Sequence, residues 1–353
     1  MTVIFAVLLF SFLIFIHELG HFVAAKLSGV LVNEFALFMG PAIVKWTRGE
    51  TQYSIRCIPI GGYCAMEGED GGSEDPRAFG RAKWWQRLII LLAGSFMNFV
   101  AGLLIMVIIC MPMEKIVTPV IEKFESYSTV TGENGLQPGD RIVKLDGERI
   151  YLQSDFSMLL SLNPGDVHDL VVERNGKRVI LDDFLMEKHE TVDESGNPAM
   201  RYGIDFVQKR ATLGEKLNYA WLECVNTVRS VRLSLQMLLT GEAGLGDMTG
   251  PVGIVQIMSD TAKASDSAGA AFMRMLYFGG YIAINLAVMN LLPIPALDGG
   301  RALALLLTLG VEAVTRKKID PKYEGYIHGI GMILLLGLMA VIMFKDIFMI
   351  FKR

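Results

Sequence analysis

The sequence predicts a polytopic α-helical membrane protein: about four transmembrane helices, a membrane-associated β-hairpin loop, and one extracytoplasmic β-rich domain. Two observations carry most of this. The first is composition: mean hydropathy is +0.41 and 52% of the 353 residues are hydrophobic, as in bilayer spans diluted by a polar section. The second is pattern: uncharged or nearly uncharged apolar stretches at about 2–25, 88–111, 275–292 and 328–345 are each long enough for a spanning helix, and a polar, turn-rich section at 114–274 separates the second from the third.

The first stretch opens with MTVIFAVLLF, which lacks the basic start of a signal peptide and is expected to be a retained span. The second has no charge from Leu88 to Met113, and Trp84 and Trp85 precede it where an interfacial aromatic belt belongs. The third is interrupted by Pro293 and Pro295, which should end its helix near Leu292. The fourth carries glycines between Gly325 and Gly337 that favour close packing.

Basic residues set the expected orientation. Residues 26–87 hold eight Lys or Arg and residues 301–327 hold five, so both loops should be cytoplasmic. Both termini and the 114–274 section are then outside, although Lys345, Lys352 and Arg353 would favour the opposite side for the C-terminal end. The expected location is the cell (inner or cytoplasmic) membrane. Net charge is −4, which gives no reason to expect nucleic acid as a partner. Cys57, Cys64, Cys110 and Cys224 have no C-x-x-C spacing and are expected as free thiols, with a Cys57/Cys64 metal pair as the alternative.

Residues 34–66 read as strand pieces (EFALFMG, AIVKW, TQYSIRCIPI) broken by Gly-Pro and Arg-Gly-Glu turn signals. They form either a β-hairpin dipping toward the membrane beside the first helix or a small soluble β-meander. Residues 67–76 are an acidic turn. The outside section continues with TPVIEKF, GLQPGDRIVKLDGERI, a helical QSDFSMLLSLN, and two alternating runs around Asn175-Gly176, a strong hairpin signal. Beyond it Leu217, Trp221, Cys224, Val228, Val231, Leu235 and Leu238 recur at helical spacing, as in a helix that lies on the membrane surface or packs against the β-rich domain. The expected divisions are 1–113, a first membrane half; 114–210, the β-rich domain; 211–270, an amphipathic connector; and 271–353, a second membrane half.

Chemistry enters with His17, Glu18 and His21, three ionisable side chains inside the first apolar run. Such groups are costly in a bilayer and mark function. Four residues apart on a helix, His17 and His21 share a face and can bind one Zn²⁺, while Glu18 is turned about 100° away, as suits a base acting on water. A catalytic site needs a third protein ligand. His17 lies about 22 Å into an outside-to-inside helix, in the inner half of the bilayer. The third span runs the same way and ends at Asp298, delivering a carboxylate to the same depth; its prolines break the helix there, and Gly299 and Gly300 permit a tight turn. Taken alone, Asp298 would equally cap the helical run that follows.

His17-Glu-Leu-Gly-His21 together with Asn290-Leu-Leu-Pro-Ile-Pro-Ala-Leu-Asp298-Gly resembles the site-2 protease family of intramembrane zinc metalloproteases, in its bacterial PDZ-containing, regulator-of-sigma-E-protease-like branch. The likeness extends to Gly250-Pro-Val-Gly-Ile254 and Tyr323-Glu-Gly-Tyr-Ile-His328, and Gly135–Gly147 resembles an element of a PDZ domain, a fold that binds peptide ends by strand addition. The resemblance implies His17, His21 and Asp298 as zinc ligands, Glu18 as catalytic base, Asn290 on the substrate backbone or oxyanion, and the 34–66 loop as a strand that pairs with unwound substrate. Asn98 either lines this site or makes an interhelical hydrogen bond.

The implied activity is hydrolysis of peptide bonds within or near the spans of single-span membrane proteins, as in regulated cleavage of an anti-sigma factor or clearance of signal-peptide remnants. The β-rich domain either binds peptide or acts as a steric filter. Two other function classes fit parts of the sequence. A metal transporter would use His17, His21 and Asp298 as a transport site but calls for internal repeats that the sequence lacks. A non-proteolytic scaffold binding membrane proteins would have no need of Glu18.

Overall fold

The computed structural model describes residues 2–352 except 70–72, 133–134, 164, 193–197, 245, 266 and 317–321. They form two compact units, residues 1–106 with 227–353, and residues 107–226.

The first unit is helical. Helix α1 (Thr2–Leu27) is an apolar run that stops at Ser28-Gly29. Gly29 takes φ +76, and the N–H groups of Gly29 and Val30 bond back to Lys26 and Ala25 at 3.2 and 2.9 Å, a Schellman ending that needs a residue without Cβ strain. Strands β1 (Val32–Arg48) and β2 (Thr51–Met66) follow, then helix α2 (Trp84–Cys110). After the second unit come α4 (Leu213–Thr240), which begins in that unit, α5 (Pro251–Lys263), α6 (Ala268–Asn290), α7 (Asp298–Thr315) and α8 (Lys322–Lys352).

Among the described residues four helices are long and apolar enough to cross a membrane: Val3–Leu27, Trp84–Cys110, Ala268–Asn290 and Gly325–Met349. They match the expected spans, and the last three begin earlier. Trp84 and Trp85 lie in the first turn of α2 rather than ahead of it, and α6 extends back through Arg274, because helical hydrogen bonding continues past the edge of the apolar run and long polar or aromatic side chains at such ends reach toward water.

The strands at 32–66 form a two-stranded antiparallel pair with a tip at Gly49-Glu50. The Gly40-Pro41 signal proves to be an irregularity within β1, not a turn between strands. Phe38 and Gly40 adopt φ of +73 and +83, and the pair folds back so that Glu34–Leu37 is flanked by Gln52–Ile55 on one side and Gly62–Ala65 on the other. Glu34 holds this fold together, accepting from Ser54 Oγ at 2.6 Å, Arg56 at 2.7 Å and Tyr63 Oη at 2.8 Å.

Two buried clusters fix α1. Its C-terminal half packs with Phe35 and Cys64 of the strands, Ile90 and Leu91 of α2 and Leu305 of α7. Its N-terminal half packs through Leu9 and Leu13 on Met258 of α5 and Ile282 and Ala283 of α6. Small residues let the helices touch: a Cβ on Gly20 would lie 2.4 Å from Ala93 O, and one on Gly102 would lie 3.1 Å from Gly280 O.

The second unit contains a sheet in the order β10–β3–β4–β6–β7, from β3 (Lys115–Phe124), β4 (Arg141–Leu145), β6 (Val167–Arg174), β7 (Lys177–Leu185) and β10 (Ile204–Arg210), with β5 (Glu148–Arg149) paired to β4. Helix α3 (Gln153–Leu162) covers it, and β8 (His189–Val192) pairs with β9 (Pro198–Arg201) as a separate hairpin. Asn175 and Gly176 turn β6 into β7 with φ of +52 and +75, as their sequence predicts. Ala220, Glu223 and Cys224 of α4 are buried in this unit, and Ser154 Oγ donates to Glu223 at 2.8 Å.

Candidate active site

One turn of helix separates His17 from His21, so their imidazoles stack edge to face at 4.8 Å between ring centres, with the two Nε2 atoms 3.2 Å apart. The loop after α6 brings Asp298 onto the same point: its Oδ2 lies 3.2 Å from His17 Nε2 and 3.4 Å from His21 Nε2. Of the three, His21 is buried and the other two are partly buried. Asp298 opens α7, and Leu297, not Asp298, is the residue before its first turn, so the carboxylate serves the histidines rather than capping the helix.

Gly299 and Gly300 matter for a reason other than the expected one. Both are helical; a Cβ on Gly299 would meet Leu291 O at 2.2 Å, and one on Gly300 would meet Ile294 O at 2.1 Å. Their value is close approach, and the left-handed residue of the loop is Ala296, at φ +81.

The donor set fits zinc. A tetrahedral ion with ligands at about 2.0–2.1 Å separates those ligands by about 3.3–3.4 Å, which is the spacing observed. His21 Nδ1 faces the Ile90 carbonyl at 2.8 Å; only an N–H can donate there, so Nε2 keeps its lone pair for a metal. His17 Nδ1 faces Nδ2 of buried Asn98 at 3.4 Å, while Asn98 Oδ1 has no hydrogen-bond partner among the described residues; a half-turn of the amide exchanges the two atoms and gives His17 Nδ1–H an acceptor, which fixes the same tautomer on His17. No hydrogen-bond donor satisfies the buried Asp298 Oδ2 among the described residues. Three lone-pair atoms this close repel one another unless a cation lies between them.

The structure thus brings together His17, His21, Asp298 and Asn98. Glu18 lies next to them on α1, where the Cβ that Gly62 lacks would come 3.4 Å from Glu18 Cγ and 3.2 Å from Ile14 Cγ2. Asn290 is the last residue of α6 and half-buried, and among the described residues none of the site's hydrogen bonds involves it. Sequence reasoning missed Gly94, whose absent Cβ would lie 2.3 Å from His21 Nε2. The signal available was the spacing of Gly94 to Asn98, one helical turn, which puts both on the face toward α1. It also missed Arg301, which pairs with Glu69 beyond β2.

Residues 5–338 match the description of Peptidase family M50. The chain belongs to that family. A protein of Clostridium acetobutylicum with a provisional zinc-metalloprotease name is 38% identical, covering 98% of this chain and 97% of the relative. A similarly named protein of Fusobacterium nucleatum is 33% identical, covering 100% of each. The regulator of sigma-W protease RasP of Bacillus subtilis is 27% identical over 98% of both chains. This M50 protein is a zinc-dependent metallopeptidase, and with its four apolar helices it is a multi-pass membrane protein.

Proposed function

We propose that this protein hydrolyses peptide bonds within or near the transmembrane segments of single-span membrane proteins, using His17, His21 and Asp298 as zinc ligands and Glu18 as general base. The convergence of three ligand atoms at 3.2–3.4 Å, two of them from a helix long and apolar enough to span a membrane, carries this proposal. Bound there, zinc supplies a Lewis acid that acidifies water to a pKa near 7 and polarises a carbonyl. The chain supplies the rest. Glu18 takes the proton from the attacking water and returns it to the leaving amine. His21, held by the Ile90 carbonyl, and His17, held by Asn98, keep their donor atoms aimed.

A substrate helix satisfies its own backbone, so its scissile bond is reachable only after local unwinding. The outer segment Gly62–Met66 of the folded-back hairpin runs past Glu18, and Gly62 leaves it without a side chain at that point. An unwound substrate strand adding to this edge would bring its carbonyls to Glu18. A β-hairpin that dips into the membrane is the corresponding arrangement, supported by the exposed Met39, Ile43, Val44, Trp46 and Ile58. Asn290 is proposed to hold the substrate backbone or oxyanion.

The second unit is proposed to be a PDZ-like domain outside the cytoplasm, with both basic loops inside and the protein in the cell membrane. A cavity of about 600 Å³ between α3 and β10, lined by Phe156, Leu160, Tyr202, Ile204 and Phe206 with Lys188 and Arg201, is the proposed place for a peptide. An anti-sigma factor processed by regulated proteolysis is the proposed substrate class to try first, a choice supported by the sigma-W regulator name of the Bacillus subtilis relative.

In proteoliposomes with a panel of single-span substrates, the wild type is expected to cut bonds that mass spectrometry places inside the apolar span, and Glu18→Gln to cut none. Cuts confined to soluble tails would contradict the proposal. Full biological activity in Glu18→Gln would favour a scaffold instead.

A further inference from the structure

We infer that His328 is a positioning residue for Asp298, acting through the backbone of the loop that carries it. Asp298 is held two residues beyond Ala296, a non-glycine residue in the left-handed region at φ +81, a conformation costly for an alanine and stable only where its surroundings enforce it. The enforcing contact comes from α8. The Ala296 N–H donates to His328 Nδ1 at 3.1 Å. Three residues on, hence on the same helix face, Gly331 lies against Pro295 so closely that a Cβ there would be 2.4 Å from Pro295 Cβ and 2.9 Å from its carbonyl oxygen.

Helix α8 is itself anchored at its other end. Asp346 accepts from the N–H groups of Gly250 and Gly253 at 3.0 and 2.9 Å, at the start of α5. Lys345 donates to the Gly246 carbonyl at 2.6 Å. Since α5 packs on the histidine-bearing helix through Met258, Leu9 and Leu13, α8 ties the loop of the third ligand to the helix that carries the first two. No residue of the most apolar part of α8 is fully buried, so these two anchored ends do most to define its place.

The inference rests on Asp298 being a zinc ligand, and the experiment separates the two. Zinc affinity is measured by chelator competition on detergent-solubilised full-length wild type, His328→Leu, His328→Asn and Asp298→Ala, with the visible spectrum of the Co²⁺-loaded forms and matched helix content by circular dichroism. His328→Leu should bind zinc about ten-fold more weakly and lose tetrahedral Co²⁺ intensity. His328→Asn, whose Oδ1 can stand where Nδ1 stood, should return within about three-fold of wild type. Wild-type affinity in His328→Leu alongside weakened Asp298→Ala would overturn the inference, as would failure of His328→Asn to recover. Wild-type affinity in Asp298→Ala would overturn the ligand assignment instead. If His328→Leu does not accumulate, Gly331→Ala tests the same face: weakened zinc binding is expected, and unchanged binding overturns the inference.

Discussion

Gly94 lies directly over His21: a Cβ at position 94 would fall 2.3 Å from His21 Nε2 and 2.7 Å from His17 Cε1. Helix α2 can therefore close over the metal-binding face of α1 only because this position is bare. Gly94→Ala is expected to push both imidazoles out of register and lower zinc affinity at least about ten-fold. Helix content should be unchanged, since alanine favours helix over glycine. Metal analysis after dialysis against a weak chelator, beside circular dichroism, checks this.

Arg301 and Glu69 form an ion pair, largely shielded from solvent, that ties the segment after β2 to the first turn of α7. Removing either partner leaves a poorly hydrated charge, at a cost of about 2 kcal/mol. Arg301→Gln and Glu69→Gln should each lower the thermal unfolding midpoint in detergent. The double variant should cost less than the sum of the two, as a double-mutant cycle reads directly.

Acid should loosen the hairpin. Burial alone would raise the Glu34 carboxyl, but hydrogen bonds from Ser54, Arg56, Tyr63 and Gln52 outweigh it and bring its pKa down to about 2. A folded-state value below the ordinary glutamate value of about 4.3 means that the stabilisation is fully present above that value and is lost as pH falls from there toward about 2. Amide protection factors across β1 and β2, taken against the intrinsic exchange rate at each pH, should be high at neutral pH and fall below about pH 4. In Glu34→Gln the protection factors should be lower at neutral pH and nearly independent of acid over that range.

In the second unit, Arg174 grips Asp140 through two bonds, Nε to Oδ1 at 2.8 Å and a terminal nitrogen to Oδ2 at 2.7 Å, while the same nitrogen reaches the Gly135 carbonyl at 2.7 Å. Asp140 is fully buried. Asp140→Ala should destabilise this unit by about 3 kcal/mol. Limited proteolysis of the full chain should show cleavage within 107–226 at denaturant concentrations that the wild type withstands.

Legibility in the sequence followed the range of the physics. The spans, the Asn175-Gly176 hairpin and the helix over 153–162 depend on local composition and turn chemistry, and the structure has them. Residues His17, His21 and Asp298 could be grouped because bilayer depth turns a sequence of spans into a coordinate across the membrane. Close approaches were not legible. Gly94 over His21, Gly299 against Leu291 and Gly331 against Pro295 are contacts between elements distant in sequence or across a loop, where a glycine's only signature is the side chain it lacks. The same holds for His328, whose partner is a backbone N–H that no side-chain pattern reveals. Helix α5 was absorbed into an amphipathic connector because its short run at 251–263 has no feature except Pro251 at its start. Strand β1 was divided at Gly40-Pro41 because that dipeptide ordinarily ends a strand, whereas here the chain bends and continues.

The most direct test joins metal content and proteolysis in one preparation: purified wild type, His17→Ala, His21→Ala, Asp298→Ala and Glu18→Gln, each assayed for bound zinc and for cleavage of a single-span substrate. The account predicts one zinc and cleavage in the wild type, loss of both in the three ligand variants, and in Glu18→Gln a full zinc complement with cleavage reduced by at least about a hundred-fold. Zinc retained at wild-type level in all three ligand variants, or undiminished cleavage by Glu18→Gln, would contradict it.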